Sequence, residues 1–428
     1  MLMTALPSLF SVEIMAPAGS FESLAAALKG GADSVYFGVG ALNMRSRATV
    51  NFTEEDLPEI VSRCREARAQ AYLTLNIIVY DEEVELVHAL CDAAKRAGID
   101  AVIAADLAVI RYAHQIGLPV HISVQANVCN IETVRFYSQY AEVVVLAREL
   151  KLEQIRRIID RIREEDIRGV GGELMRVEIF AHGALCVAVS GKCHMSLAAY
   201  NSSANRGACF QNCRRAYRVI DEDTGNEMLI DNKYVMSPKD ICTIGVLDQI
   251  LDAGVSVLKL EGRGRSSDYV HTVTSVYRQA ATACQNGTYN EEQAEQWLKR
   301  LSEVFNRGFW QGGYYLGSEW ETWSGTSSNK ATLHKVHIGK VTNWFGKTGV
   351  VEISLEAGGF SKKARLLITG PTTGAMEISP AAIKKEAVDG SMLEIEEAAK
   401  GDIVYLALSD KVRRGDKVYF LRPRTLND

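Results

Sequence analysis

Short apolar runs alternate with amphipathic segments through the first two-thirds of this 428-residue chain, and this alternation limits the possible folds more than any other feature. In the first unit, an apolar run at Val12–Ala16 precedes a helix cap at Ser20, a helical face with Leu24 and Leu28, and a stop at Gly30. Eight strands are predicted in this way, and each except the seventh is followed promptly by a helical segment: Val12–Ala16, Asp33–Gly38, Tyr72–Asn76, Ala101–Asp106, Val120–Gln125, Glu142–Ala147, Arg176–Phe180 and Val255–Leu260. Eight such units predict a closed parallel (β/α)8 barrel of the TIM type within residues 1–330, with a doubly wound open sheet as the alternative.

The alternation breaks after the seventh predicted strand. Residues 181–240 form a cysteine-rich insertion that also contains a hairpin-like turn at Asp223–Asn226. In a barrel, the loop after a strand lies at the catalytic end, so the insertion is expected above the place where function resides.

The composition changes again near Lys335. Short alternating runs separated by glycine-containing turns follow, at Val336–Val341, Gly349–Leu355, Ala364–Ile368, Ile403–Leu406 and Lys417–Phe420. This pattern predicts a small antiparallel β-barrel domain over residues 331–428.

Composition excludes several classes of protein. The net charge of −5 argues against bulk electrostatic attraction to nucleic acid or to an anionic membrane, although local basic patches remain. No apolar run is long enough to predict a membrane-spanning helix, and the first ten residues do not resemble a signal peptide. Nine cysteines, most of them isolated, do not resemble a secreted disulfide framework. We therefore expect a cytoplasmic protein.

Four cysteines of the insertion, Cys186, Cys193, Cys209 and Cys213, are spaced so that one loop can enclose a metal centre. Both zinc and iron–sulfur clusters accept four thiolates. The tight pairs of a structural zinc site are missing, which favours a cluster, while zinc and unrelated buried cysteines remain alternatives. Cys242 is the main rival ligand. Three others fall on apolar helix faces and are expected in the core (Cys64, Cys91 and Cys284), and Cys129 follows the fifth strand without a nearby partner.

Several segments carry a more specific signal. Glu178–Ser196 reads EIFAHGALCVAVSGKCHMS and includes two of the four cysteines. Further segments agree: APAGSFESLAAALKGGADSVYFG at Ala16–Gly38, SVQAN at Ser123–Asn127, NRGACFQNCR at Asn205–Arg214, SPKDIC at Ser237–Cys242 and LKLEGRGRS at Leu258–Ser266. Through them the chain resembles peptidase family U32, the collagenase-like family, over nearly its whole length.

The resemblance implies more than the family name. Its better understood branches are similar to RNA and quinone hydroxylation proteins with a 4Fe–4S cluster, here implied on Cys186, Cys193, Cys209 and Cys213. One branch forms 5-hydroxyuridine at the tRNA wobble position with prephenate implicated, another acts on a cytidine of 23S ribosomal RNA, and a third serves oxygen-independent ubiquinone synthesis. One barrel with one β-domain, similar to those of translation factors, most resembles the tRNA branch. The implied partners are tRNA, a small anionic metabolite and a redox partner that the sequence does not specify.

Polar side chains at the ends of the predicted strands are the remaining candidates, because such positions line the site of a barrel enzyme. Each could instead cap a helix or form a loop salt bridge. The catalytic candidates are Arg148, Glu149, His182, Glu261 and Arg263, and the substrate-binding candidates at strand ends are Asn43, Arg45, Asn76, Asp106, Gln125 and Asn127. A guanidinium group grips a carboxylate in bidentate fashion, so Arg148 and Arg263 are expected to hold an anionic small molecule.

Arginines surround the last two cysteines of the insertion. Arg206, Arg214 and Arg215 are predicted to contact RNA phosphates, while charge compensation for a cluster and a solvated face are the alternatives. A second basic run, with Lys411, Arg413, Arg414 and Lys417, is similarly ambiguous.

Three functions are compatible with the sequence. The first is an iron–sulfur RNA hydroxylation enzyme acting on the tRNA wobble uridine, with 23S ribosomal RNA cytidine as the related alternative. The second is a collagenase-like peptidase, although neither G-x-S-x-G nor H-E-x-x-H is present. The third is a non-catalytic RNA-binding module in which a cluster only staples the insertion.

Overall fold

The structure is a computed structural model that describes residues 12–46, 51–225, 227–228, 236–310, 323–324 and 329–424. The first seven strands run β1 (Glu13–Pro17), β2 (Ser34–Phe37), β3 (Gln70–Leu75), β4 (Ala101–Ala104), β5 (Val120–Ile122), β6 (Val143–Val145) and β7 (Arg176–Ala184). The helices between them are α1 (Phe21–Lys29), α2 (Leu57–Glu66), α3 (Val84–Ala97), α4 (Leu107–Gln115), α5 (Ile131–Tyr137) and α6 (Leu152–Glu164).

After β7 the chain forms α7 (Met195–Tyr200), a hairpin of β8 (Val219–Ile220) and β9 (Glu227–Met228), then β10 (Asp240–Cys242) and α8 (Leu247–Asp252). The hairpin agrees with the predicted turn, whose last residue, Asn226, lies outside the described residues. The barrel resumes with β11 (Val257–Leu260) and α9 (Ser267–Gln285), followed by α10 (Glu291–Glu303) and β12 (Phe309–Trp310).

The barrel is closed, because β11 pairs in parallel with both β1 and β7. The prediction of a closed barrel is therefore confirmed against the open-sheet alternative. Local signals fix its helices: Ser20 and Ser23 form a reciprocal capping box at α1, and Asp106 accepts a hydrogen bond from the Ala108 amide at the start of α4. Strand β4 ends earlier than predicted because Asp106 serves as this cap.

Two apolar layers hold the barrel together. Outside the sheet, the buried faces of the helices pack on the strands; the stripe of α6 carries Ile155, Ile159 and Ile162. Inside the sheet, a smaller cluster includes Met15, Tyr36, Tyr72, Ile103, Val143 and Val257. Charged side chains share this interior with the apolar cluster, since the Tyr72 hydroxyl donates to Glu13 Oε1 and Lys259 pairs with Glu178.

The predicted antiparallel C-terminal domain is confirmed. Its strands are β13 (Leu333–Phe345), β14 (Val350–Leu355), β15 (Phe360–Ser361), β16 (Arg365–Gly370), β17 (Gly374–Ile378), β18 (Ile383–Glu386), β19 (Met392–Ile395), β20 (Glu397–Ala398), β21 (Ile403–Ala407) and β22 (Lys417–Pro423). Eight of them form one sheet in the order β17-β16-β22-β13-β14-β21-β18-β19 around a separate apolar core.

The C-terminal domain packs against the barrel through α1 and α9. Gly374 has φ +68°, and a Cβ atom there would lie 2.6 Å from the Ala26 amide nitrogen of α1, so only glycine permits this approach. Lys29 Nζ donates to the Thr373 carbonyl at 2.9 Å, and Arg365 forms a bidentate pair with Glu303 at 2.8 and 3.1 Å. Specific polar contacts therefore fix the position of the domain on the barrel.

Candidate active site

A cavity of about 250 Å³ lies at the carboxyl ends of the barrel strands. One side is formed by barrel residues: Tyr36, Arg45, Thr74, Asn76, Gln125, Arg148, Phe180, Lys259, Glu261 and Arg263. The other side is formed by residues 185–214 of the chain between β7 and β10, which we call the roof segment. The cavity therefore lies at the end of the barrel where active sites are found.

All four cysteines of the predicted metal site line this cavity, namely Cys186, Cys193, Cys209 and Cys213. Burial raises the pKa of the Cys213 thiol, Arg214 lowers it, and the other three thiols raise it further. Among the described residues, no group of three or more His, Cys, Asp or Glu side chains is arranged to hold a metal ion. The donor set of four thiols on one cavity nevertheless fits the chemistry of an iron–sulfur cluster, which is held by cysteine thiolates.

The other cysteines lie elsewhere. Cys242, the rival ligand, is fully buried beside Tyr277 and does not line the cavity. Cys129 Sγ lies 2.9 Å from the Asn127 carbonyl oxygen, also away from the cavity. Cys64 and Cys91 are buried in the barrel core and Cys284 is half-buried against it, as their helical positions predict.

The roof segment is fastened to three barrel loops. Gly207 has φ +78°, and a Cβ atom there would lie 2.3 Å from the Asn43 carbonyl oxygen in the loop after β2. The Asn205 amide accepts from the Ile78 nitrogen after β3 and donates to the Gly191 carbonyl. Gly191 in turn packs on Gln125, whose Oε1 would be 1.8 Å from a Cβ atom. These contacts hold the roof segment across the mouth of the barrel.

Two arginines of this region act as structural ties rather than as free cations. Arg206 pairs with Glu83, donates to the Ile78 carbonyl and stacks on Tyr80. Arg214 donates to the Leu185 and Pro238 carbonyls and to Ser237 Oγ, and its side chain also lines the cavity. The three predicted phosphate contacts therefore differ in accessibility: Arg206 and Arg214 are half-buried and bind groups of the protein, whereas Arg215 is exposed and donates to the Tyr200 hydroxyl.

The lining of the cavity is rich in basic side chains, although two of them, Lys259 and Arg307, pair with Glu178 and Asp240 outside the lining. Glu261 is the sole acidic side chain among its described lining residues, against seven basic ones: Arg45, Arg148, Arg214, Lys259, Arg263, Arg265 and Arg307. The excess positive charge is suited to an anionic ligand and to the negative charge of a thiolate-bound cluster.

Glu261 is the acidic partner of several arginines in the cavity: it pairs with Arg45 and interacts electrostatically with Arg265 and Arg148. Its Oε1 accepts from Arg45 Nη2 at 2.9 Å, and its side chain is 12% exposed. Burial alone would raise the pKa of this carboxyl, but Arg45, Arg265 and Arg148 outweigh burial and lower the pKa to about 2. Glu261 is therefore ionised at neutral pH.

The two arginines predicted to grip an anion both line the cavity. The Arg148 guanidinium lies 3.9 Å from the centre of the Phe180 ring. Arg263 is 6% exposed and donates through Nη1 to Asn43 Oδ1 at 3.0 Å and to Thr74 Oγ1 at 2.8 Å. Burial lowers the pKa of Arg263 to about 10, so it keeps its charge at neutral pH. Asn43 thus orients Arg263 and does not line the cavity itself.

Four other candidates do not line this cavity. Asp106 accepts from the Ala108 and Val79 amides, and Asn127 adopts a left-handed backbone conformation at the end of a short turn. Glu149 lines an adjacent space of about 210 Å³ together with Arg148. His182 is buried, packs on Tyr277 and Phe309, and lies 3.4 Å from the Tyr277 hydroxyl. Burial lowers the pKa of His182 to about 3, so the imidazole is neutral.

His182 faces away because the pairing of β7 with β11 is irregular at this point. Lys259 pairs with Phe180, whereas Leu260 pairs with His182, so Ala181 is skipped. Such an irregularity reverses the side on which the following residues lie. A count of alternating positions from the sequence therefore assigns His182 to the wrong face.

Several lining residues were not anticipated from the sequence: Tyr36, Thr74, Phe180, Lys259, Arg265 and Arg307. The lysine within the apolar strand Val257–Leu260 could have been recognised as a site residue from the sequence, because lysine is rarely buried unless it is paired. Arg307 comes from the segment after α10 and reaches the site by pairing with Asp240 of β10. No local pattern in the sequence predicts that contact.

No helix in the described parts of the chain is both long and apolar enough to cross a membrane.

Comparison with known proteins identifies the family. The chain is 49% identical over 407 residues to a protein of Porphyromonas gingivalis named Collagenase, covering 95% of this chain and 97% of the relative. It is 32% identical over 364 residues to tRNA hydroxylation protein P1 of Bacillus subtilis, covering 82% and 81%. It is 33% identical over 276 residues to the 23S rRNA 5-hydroxycytidine C2501 synthase of Escherichia coli, covering 64% and 39%. Residues 19–325 match the model of peptidase family U32, and the chain belongs to that family.

Proposed function

We propose that this protein is an iron–sulfur-dependent RNA hydroxylation enzyme that converts the tRNA wobble uridine to 5-hydroxyuridine. One observation carries the proposal: four cysteines and seven basic side chains surround a single roofed cavity at the catalytic end of a barrel. Relatives named tRNA hydroxylation protein P1 and 23S rRNA 5-hydroxycytidine C2501 synthase support RNA as the substrate class.

The cluster is assigned to Cys186, Cys193, Cys209 and Cys213. When bound, a 4Fe–4S cluster supplies electron transfer at a potential set by its protein surroundings. The neighbouring arginines compensate its negative charge, and Arg214 holds the adjacent carbonyls of the roof segment in place. Zinc on the same thiolates is the alternative, and anaerobic metal analysis separates the two.

The basic side chains opposite the cysteines are assigned to a small anionic co-substrate. Arg148 and Arg263 line the cavity from the ends of different strands, and their planar guanidinium groups are suited to carboxylates. Prephenate, which carries two carboxylates, is the co-substrate proposed from the family resemblance. Arg263 is already oriented by Asn43 and Thr74, so little reorganisation is needed to bind an anion.

An RNA base is proposed to enter the same cavity. Single-stranded bases can be splayed into a pocket, whereas paired bases cannot reach it without flipping. Exposed aromatic residues lie on the roof segment beside an exposed cation, because Tyr200 and Phe210 have ring centres 5.1 Å apart and Arg215 lies over Tyr200 at 5.2 Å. Aromatic and guanidinium planes of this kind stack on unpaired bases.

The experiment is a nucleoside analysis by mass spectrometry. A host that lacks its own tRNA hydroxylation genes would express the wild-type chain, Cys213→Ser, Arg148→Ala or Cys242→Ser, and its tRNA and ribosomal RNA would be digested separately. We expect 5-hydroxyuridine derivatives in tRNA with the wild-type chain and with Cys242→Ser, and their loss with the other two. Gain of 5-hydroxycytidine in ribosomal RNA alone would reassign the substrate, and no hydroxylated nucleoside in either RNA would reject the proposal.

Peptide hydrolysis is the second candidate, because the relative with 49% identity is named Collagenase. Release of peptides from denatured collagen by the homogeneous protein, at a rate unchanged by removal of iron, would favour it. Specific RNA binding with no modification in the nucleoside analysis would instead favour a non-catalytic binding module.

A further inference from the structure

Lys259 is a buried amine at the wall of the cavity, and the proposed function gives it no individual role beyond its positive charge. Its side chain is 6% exposed, and its Nζ lies 2.7 Å from Oε1 of Glu178, whose side chain is 0% exposed. The Tyr36 and Phe180 rings lie 4.7 and 5.6 Å from Nζ. Lys259 thus presents its amine to the cavity from an enclosure with two aromatic walls.

Structural stabilisation is a poor explanation for this pair. Buried ion pairs recover little more than the cost of their desolvation, and apolar residues of similar volume usually serve a core as well or better. Glu178 Oε2 is also buried without a hydrogen-bond partner in the described parts of the chain, a further cost for a merely structural carboxylate.

The environment brings the pKa values of the lysine and the glutamate towards each other. Burial lowers the pKa of Lys259, and the nearby Arg263 and Arg148 lower it further, while Glu178 acts in the opposite direction. Burial raises the pKa of Glu178, although Lys259 opposes that change. These shifts reduce the difference in pKa that opposes proton transfer from Lys259 to Glu178, and the neutral amine left by that transfer is the form of lysine that attacks carbonyl carbon.

The same cavity supplies anchors for a carboxylate. Arg148 and Arg263 line it, and both are near enough to Lys259 to affect it electrostatically. A ligand whose carboxylate is held by these guanidinium groups and whose carbonyl carbon is adjacent to that carboxylate would present the carbonyl to Nζ. We propose that Lys259 forms an imine with a 2-oxo acid bound in the cavity.

The reaction is balanced without an oxidant or reductant. One Lys259 proton passes to Glu178 Oε1, and the amine lone pair attacks the carbonyl carbon; a proton then moves from the nitrogen to the new alkoxide oxygen, which gives a neutral carbinolamine. Glu178 returns its proton to the departing hydroxyl group, so that one water molecule leaves, Glu178 is again a carboxylate, and a protonated imine (C=NH+) replaces the C=O bond. The resulting imine withdraws electrons from the ligand and fixes its position.

The test is reductive trapping, with no RNA present. Anaerobically purified holoprotein is incubated with pyruvate or phenylpyruvate and sodium cyanoborohydride and is then denatured. The intact mass is measured by mass spectrometry, and the modified residue is located by peptide mapping. We expect one reduced adduct per chain on the peptide containing Lys259. Acetate and phenylacetate, which lack the 2-oxo group, should give none.

Three variants sharpen the test. Lys259→Arg keeps a cation but cannot form an imine, so the adduct should disappear; Glu178→Gln cannot relay the proton, so the adduct should form at least tenfold more slowly. Lys151→Arg, at an exposed lysine beyond β6, is the matched control and should react like the wild-type protein. Peptide mapping of the wild-type chain does not depend on the folding of any variant. The proposal is overturned if neither 2-oxo acid forms an adduct, or if adducts form on other lysines while Lys259 stays unmodified. Neither result would exclude RNA hydroxylation, which the nucleoside analysis measures separately.

Discussion

Replacing Glu261 with glutamine tests the assignment of the cavity as an anion site, because it removes the one acidic side chain among the described lining residues while keeping the shape of the side chain. The cavity would then hold seven basic groups and no carboxylate among its described lining residues. Two opposite effects are expected from this single change: the protein becomes less stable, and an anionic ligand binds more tightly.

The loss of stability follows from the pKa of Glu261. The difference between the ordinary pKa of 4.5 and about 2 in the folded protein corresponds to about 3 kcal/mol in favour of the ionised form. Since glutamine still accepts a hydrogen bond from Arg45, we expect a net loss of about 1–3 kcal/mol and a fall in melting temperature of about 2–8 °C. Because the folded-state pKa is depressed, the stability that Glu261 provides is fully present above pH 4.5 and is lost as the pH falls towards 2. The difference between the variant and the wild-type protein should therefore shrink across that interval.

The gain in affinity follows from Coulomb's law. A carboxylate about 6 Å from a bound anion, at an effective dielectric constant of about 40, opposes binding by roughly 1.4 kcal/mol, which is about tenfold in Kd. Isothermal titration calorimetry of anaerobic holoprotein with malonate, and with uncharged malonamide as the control ligand, measures this effect.

Glu153→Gln is the matched control, because Glu153 is 71% exposed and pairs with Arg157 on the surface of α6. A surface pair of this kind contributes little, so neither stability nor malonate affinity should change measurably. If Glu261→Gln binds malonate no more tightly than the wild-type protein and melts at the same temperature, the proposed electrostatic organisation of the cavity is wrong.

Three further predictions follow from the site and the domain contacts. Cys213→Ser should abolish iron incorporation while Cys242→Ser retains it, as measured by iron and sulfide analysis after anaerobic purification; the reverse result would exchange the two assignments. Arg215→Glu should weaken tRNA binding roughly twofold to tenfold and reduce its dependence on salt without altering the fold, whereas Arg214→Glu should destabilise the roof segment, which circular dichroism melting would detect. Gly374→Ala should lower the melting temperature more than Gly390→Ala, because both glycines have positive φ but, of the two, Gly374 alone approaches the backbone of α1; equal effects would contradict the described docking.

The architecture could be predicted from the sequence because its signals are local. Each βα unit has a periodic pattern of apolar residues and a helix cap in its own sequence. A parallel sheet built from eight such units must have both faces covered, and few folds achieve this. The strand-end rule also placed Asn76, Gln125, Arg148 and Arg263 at the cavity, since every strand of a closed parallel barrel ends at the same rim.

The remainder of the site depends on contacts that no local pattern encodes. The irregular pairing of β7 turns His182 into the packing around Tyr277, although alternation from Arg176 would place it elsewhere. Arg206 was expected to contact phosphate, but the fold brings it to Glu83, more than a hundred residues earlier in the chain. Tertiary pairing decides whether a charged side chain is available to a ligand, and sequence reveals only that the charge exists.

The fastening of the roof segment limits the shape of what can react. A flap attached at one end could swing aside for an extended polypeptide, which proteins commonly bind as an added strand along an open groove. Here Gly207, Asn205 and Gly191 hold the segment against the loops after three different strands, so among the described residues it is fixed at several points along its length. A single protruding group, such as one unstacked base, can still enter. We therefore expect the fastened roof segment to favour chain ends and flipped residues over continuous backbones.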